Sequence, residues 1–306
     1  MIPLRRLEAG DRVALVAPAS SFPHEEIDAG VAELRRLGLE AVYDRSIFDK
    51  ERFVAGSAES RASAIHEAWS NPDIGALIAI RGGYGSAQVL PLLDTALLRK
   101  ARKPLIGYSD ITALLNFYLQ HGLAAIHGPM IDRRLSKGPS AYHEESFRRV
   151  VMTAAPAGDL CPDHVETLHA GSARGVLVGG TLTQLMASLG TPWAFEPPGD
   201  CVLFLEDVGE RPYRIHRLLT QAAQAGILKK ARAIVFGEFP GCEEPGGDPA
   251  IRDVLRDFTT GFGGPVLFNF PSGHTAGPTW TLPFGVRAEV VGGTSPVLRV
   301  LDAAVH

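Results

Sequence analysis

Cysteine is scarce in this chain: among 306 residues only Cys161, Cys201 and Cys242 occur, and they stand far apart. An odd, dispersed set supports neither a disulfide framework nor a cysteine-based zinc site, and reads as buried or incidental thiols. Positive charge is not in excess either. The formal net charge is −4 and no run of like charges forms a tail, so there is no electrostatic ground for a nucleic-acid partner. Apolar runs long enough to cross a bilayer are missing. The opening "MIPLRRLEAGDRVALVAPAS" imitates a leader, but Glu8, Asp11 and Arg12 interrupt it. It reads as a first buried strand, and the expected compartment is the cytoplasm. No two histidines have H-E-x-x-H spacing, so a metal hydrolase is poorly supported. No cofactor is expected.

What is present suits a folded α/β protein. The chain is 45% hydrophobic and 21% charged, enough to bury a core over one large domain or two ordinary ones. Short apolar strands alternate with helical segments through the first half. "RVALVAPAS" is followed by a helix over 25–37, then "EAVYD", a helix over 61–69, "GALIAIRGG", a helix over 86–98, "KPLIGYSD", a helix over 111–121 and "LAAIHGPM". This alternation predicts βαβ units and a mostly parallel sheet, with ligands bound where strand ends open into loops. Residues 1–150 are assigned to this N-terminal domain. Residues 151–173, rich in Ala, Gly and Pro, read as a linker. Residues 174–306 read as a smaller, β-rich domain, with antiparallel strands around Gly292–Gly293.

Three strand ends carry candidate chemistry. Ser109 stands between an apolar run and an amphipathic segment. As a nucleophile it would need a base and an orienting third group, and the helix N-terminus would favour a developing oxyanion. The match to G-x-S-x-G is partial, because Ile111 replaces the second glycine. Serine and aspartate are also favoured N-caps, and on this segment alone the cap is the stronger reading. "RGGYGS", residues 81–86, could cradle an anion or supply an oxyanion donor. It equally suits a tight turn. Its spacing fits neither common nucleotide-loop pattern. "CVLFLEDVGE" drives Glu206 and Asp207 to a strand end, where charges need a partner or a task. Capping of "GERPYRIHRLL" is the alternative, above all for Asp207. Of the ten histidines, His127 and His274 lie in glycine-rich turns at strand ends, where function concentrates. Either could instead be a hydrogen-bonded structural residue.

Taken in order, "VAPAS", "RGGYGS", "PLIGYSDITALL", "IHGPM", "GGTLTQLMASLGTPW", "FLEDVGERPYRIHRLLTQ", "VFGEF" and "PSGH" resemble the LD-carboxypeptidase family. These serine peptidases include the murein tetrapeptide carboxypeptidases and the microcin C self-immunity proteins. The resemblance spans nearly the whole chain. It implies Ser109 as nucleophile, Glu206 as acid and His274 as base, with backbone N–H groups of Gly83 and Asp110 as oxyanion donors. His127 is left without a catalytic role. One departure is His216, where relatives often carry an acid. The resemblance also implies a homodimer and a site in the cleft between two domains. The preferred activity is removal of a terminal D-alanine from murein tetrapeptides. An immunity-type amidase acting on peptidyl or aminoacyl nucleotides is the alternative, with Trp193 as a base-stacking residue, and a non-catalytic binder of a small anion at "RGGYGS" is a third reading. Tyr84 and Trp193 are the candidate substrate contacts.

Overall fold

The computed structural model describes residues 2–306. Two sheets organise the chain. The first has six strands in the order Leu282–Phe284, Ala125–His127, Leu105–Gly107, Ile74–Ala79, Arg12–Val16, Glu40–Val42. Five of these run parallel, and Leu282–Phe284 joins antiparallel against Ala125–His127. Ile74–Ala79 is buried at every position, as expected for a strand covered on both faces by crossover helices.

The second sheet has eight strands in the order Gly158–Leu160, Val297–Val300, Arg287–Gly292, Gly171–Thr181, Cys201–Glu206, Ala231–Phe236, Val266–Phe268, Glu166–His169. Its central four strands are parallel, and antiparallel strands flank them on both sides. The expected antiparallel pair around Gly292–Gly293 is present as Arg287–Gly292 against Val297–Val300.

Three sequence expectations are revised. The 151–173 stretch is more than a connector. Its strands Gly158–Leu160 and Glu166–His169 form the two edges of the second sheet. The 174–306 segment does not stay within one sheet, since Leu282–Phe284 completes the first. The single helix over 86–98 is broken. Pro91 lies in a 3-10 turn, Leu90–Leu92, and a new helix, Thr95–Ala101, starts where Asp94 accepts from Ala96 N and Leu97 N. Proline lacks the N–H that a continuous helix requires at that point.

Close approach of the two halves depends on a small residue. Gly180 has φ +136°, and a Cβ there would lie 2.6 Å from Thr112 Cγ2 on the helix Thr112–Gln120. Beside it, Thr181 N donates to Thr112 Oγ1 at 3.2 Å. Gly180→Ala is expected to destabilise the protein by on the order of 2 kcal/mol, through an unsuitable φ and displacement of that helix. Gly199→Ala, at a position with open space around it, should be near neutral. Denaturant midpoints of the two variants test the difference.

Candidate active site

Ser109 follows the buried strand Leu105–Gly107 and opens a 3-10 turn, Ser109–Ile111, that runs into Thr112–Gln120. Its φ is +64°, a left-handed conformation that a non-glycine residue keeps only when its surroundings enforce it. The capping reading is not what the structure contains. Neither N-cap position here, Tyr108 nor Ile111, makes a side-chain cap bond. Asp110 turns away from its own helix. Its carboxylate accepts from Ser86 N at 2.7 Å, and its carbonyl accepts from Ser86 Oγ at 2.5 Å. Ser109 Oγ has no hydrogen-bond partner among the described residues.

The glycine-rich loop lies directly over this turn. A Cβ on Gly82 would meet Ser109 Cβ at 2.8 Å and Ser109 Oγ at 3.0 Å, so no larger residue fits. Two residues that sequence reasoning did not single out splint the loop. Ser20 N donates to Gly82 O at 3.2 Å, and Ser20 Oγ accepts from Tyr84 N at 3.1 Å. The buried Arg61 donates to Pro18 O and Gly85 O at 2.6 and 2.8 Å. With those contacts made, the backbone N–H groups of Gly83 and Asp110 donate to nothing among the described residues. Unpaired amides held beside a serine can receive negative charge.

Glu206 ends the strand Cys201–Glu206 and is fully buried. His274 sits in the turn beyond Val266–Phe268. Glu206 Oε2 accepts from His274 N at 3.0 Å and pairs with His274 Nδ1 at 2.7 Å. Glu206 Oε1 accepts a short hydrogen bond from Thr181 Oγ1. Burial alone would raise the Glu206 carboxyl. The charge and hydrogen bond of His274, helped by His127 and Thr181, reverse this and hold it at about 2. For His274 burial works downward, but the Glu206 charge and hydrogen bond prevail and raise it above the ordinary imidazole value. Nδ1 is thereby occupied, and Nε2 is left to act on a substrate.

His127 lies closer to this centre than its sequence suggested. It ends the strand Ala125–His127, is fully buried, and places Nε2 4.0 Å from Glu206 Oε1. Ser272 Oγ donates to Trp280 O at 2.8 Å, so it accepts from His127 Nδ1 at 3.1 Å. Nε2 is then buried without a partner. Burial, with the positive His274 nearby, pushes His127 down to about 4 although Glu206 opposes this. The only sequence signal for it was a histidine at a strand end.

Asp207 has a local task, but not on the helix expected. It accepts from Thr183 N and Oγ1 at 2.8 and 2.6 Å, which caps Leu182–Ala187 rather than Pro212–Gln224. Burial raises its carboxyl to about 6. Tyr84 is exposed and meets Phe53 edge-on at 6.4 Å on the loop's outer face. Trp193 is half-buried against apolar core side chains, its carbonyl accepting from Asn116 Nδ2 at 2.9 Å. It does not line the cavity beside His274. His216 is exposed on Pro212–Gln224, edge-on to Phe258. Among the described residues no group of three or more His, Cys, Asp or Glu side chains is placed to hold a metal ion, and no helix is long and apolar enough to cross a membrane.

A strained serine, two unpaired amides and a carboxylate-bound imidazole can together perform acyl transfer. Comparison with known proteins agrees with that chemistry. Residues 13–128 match the profile of the LD-carboxypeptidase N-terminal domain, and residues 174–290 that of the C-terminal domain. A murein tetrapeptide carboxypeptidase of Pseudomonas aeruginosa is 35% identical over 92% of this chain and 93% of its own. A crystal structure of muramoyltetrapeptide carboxypeptidase from Oxalobacter formigenes superposes with a TM-score of 0.84 at 32% identity, covering 95% of this chain and 99% of the other. The microcin C7 self immunity protein MccF shares the fold, with a TM-score of 0.92 at 23% identity and full coverage of both chains. These likenesses define a hydrolase, a serine-type carboxypeptidase. The chain belongs to the LD-carboxypeptidase family.

The electrostatics give a direct test. In an NMR titration the His274 ring should protonate above 6.5 and the His127 ring near 4. Glu206→Gln removes the charge that favours imidazolium while burial remains, so His274 should then titrate at lower pH. An unchanged His274 midpoint in the variant would break the assigned coupling.

Proposed function

We propose that this protein is an L,D-carboxypeptidase that releases the terminal D-alanine of murein tetrapeptides in cell-wall recycling, with Ser109 as nucleophile, His274 as base and Glu206 as the orienting acid. The observation that carries this reading is the 2.7 Å Glu206–His274 pair, formed in the same fold as a serine on a left-handed turn. His274 Nε2 takes the Ser109 proton as Oγ attacks the acyl carbon. Gly83 and Asp110 N–H groups receive the oxyanion. The carbon–nitrogen bond then breaks, and His274 returns the proton to the leaving amine. Water attacks the resulting ester by the same route. The Ser109–His274 hydrogen bond forms as substrate enters, as catalytic contacts in unliganded enzymes commonly do. The murein substrate is supported by the name and 35% identity of the Pseudomonas relative. The chain acts as a homodimer in the cytoplasm on this reading.

Ser109→Ala should keep the fold and lose on the order of a thousandfold or more in turnover. Glu206→Gln and His274→Ala should be comparably damaging, since such residues act as a unit. Asp207→Asn and His127→Gln should be milder. The assay is release of D-alanine from L-Ala-γ-D-Glu-meso-diaminopimelyl-D-Ala, with the L-alanine-ended peptide as control. Near-normal turnover by folded Ser109→Ala removes the nucleophile assignment. Cleavage of an aminoacyl sulfamoyl adenosine with no action on the tetrapeptide transfers the activity to the immunity-type reaction.

Activity should also follow the base. Only neutral imidazole accepts the serine proton, so kcat/KM should rise with pH through a midpoint above 6.5. A pH–rate profile flat between pH 5 and 8 would contradict His274 as base.

A further inference from the structure

A cavity of about 420 Å3 borders His274. Arg133, Arg134 and Lys137 line it, and no carboxylate does. The three cations come from the segment after Ala125–His127, in the first half of the chain. His274 comes from the second. Arg134 is buried, and each of its five N–H donors is spent on a neutral acceptor. They go to Tyr108 Oη and to the carbonyls of Ala141, Gly273, Thr275 and Gly277, at 3.0–3.2 Å. No carboxylate pairs with it among the described residues. A buried guanidinium without a counter-charge favours an anion nearby. Arg133 and Lys137 are exposed. Two acids lie close to Arg133: Asp132, 3.3 Å from Arg81 Nε and 3.8 Å from Arg133 Nε, and Glu26, whose Oε2 accepts from Arg133 N at 3.4 Å; neither lines the cavity. Lys137 has no ion-pair partner among the described residues.

The chemistry fixes which end of a substrate meets this wall. An imidazole that took the serine proton must return it to the leaving amine, so the leaving group lies on the His274 side of the scissile bond. In an amino acid the amine nitrogen and the carboxylate carbon are two bonds apart, about 2.5 Å. A leaving amine held at His274 therefore carries its carboxylate into the adjoining cavity. Val208, Pro240 and Ala276 line the same space and offer an apolar face to a small side chain.

We propose that the Arg133–Arg134–Lys137 wall is the subsite for the terminal carboxylate of the leaving amino acid, and so the feature that restricts cleavage to a free C-terminus. Arg133 and Lys137 contact the carboxylate. Arg134 supplies fixed positive potential while holding the turn that carries His274. The inference rests on the carboxypeptidase reading above, because it takes the leaving group to be a terminal amino acid.

The test compares the tetrapeptide ending in D-alanine with the same peptide ending in D-alaninamide, using the full chain and its Arg133→Gln, Lys137→Gln and doubly substituted forms. Both substitutions are at exposed side chains, away from the reacting groups. The unaltered protein should prefer the acid over the amide. In the double variant that preference should fall at least tenfold, chiefly through a higher KM for the acid. The preference should also shrink with added salt, because the ion pair is partly solvated. A preference undiminished in the double variant overturns the subsite. Calorimetric binding of both peptides to Ser109→Ala, with and without the two substitutions, needs no turnover. Loss of the acid preference on substitution supports the subsite even if the unaltered protein releases no D-alanine, an outcome that would count against the functional reading alone. Equal binding of acid and amide to Ser109→Ala overturns the subsite whatever the turnover.

Discussion

A buried carboxylate without neutralising partners is among the costliest groups a fold can hold, and the arrangement around Glu206 answers that cost. One oxygen takes two hydrogen bonds from His274, and the other takes one from Thr181. Thr181 in turn is fixed by its amide on Thr112, three residues beyond Ser109. The partners that make Glu206 tolerable thus tie the turn of His274 to the helix behind Ser109. His127 closes the remaining side from the first sheet. Satisfying one charge brings the chemical groups from the two sheets into register.

Arg134 works by the same logic with the opposite sign. Its guanidinium reaches Tyr108, the residue before Ser109, and the carbonyls on both sides of His274. Planar, five-donor geometry suits that fan of acceptors in a way that a lysine ammonium would not. The serine and the imidazole are therefore spaced by two independent cross-links. Glu206 acts through its carboxylate, which accepts from His274 and Thr181, and Arg134 acts along the cavity wall through Tyr108 Oη and backbone carbonyls.

Much of the site could be read from the sequence because its signals are local. A serine at a strand–helix junction, glycines at 82, 83 and 85, and an acid after four apolar residues each mark a backbone event within a few positions. The strand alternation of the first half was legible for the same reason. What escaped depends on distant partners. Gly158–Leu160 and Glu166–His169 look like linker because edge strands are short and only half-covered. Leu282–Phe284 carries nothing to say which sheet it joins. Arg61 and Arg134 look like surface residues until burial and their carbonyl partners are seen. His127 reads as any histidine in a turn, since its meaning comes from Glu206, remote in sequence and 4.0 Å away in space.

The strand Leu282–Phe284 has a consequence for how the enzyme comes into being. It pairs with Ala125–His127, and the bridge between Leu4 and Val305 adds a second long-range closure. Until residue 284 has left the ribosome, the edge of the first sheet stays open and the strand that bears His127 lacks its outer neighbour. Domains commonly fold one after another during synthesis. Here the earlier half waits for the later one, so a half-made chain carries Ser109 before Glu206 and His274 have been added. Glu206, His274 and the strand that closes the sheet edge are all supplied by the later half of the chain.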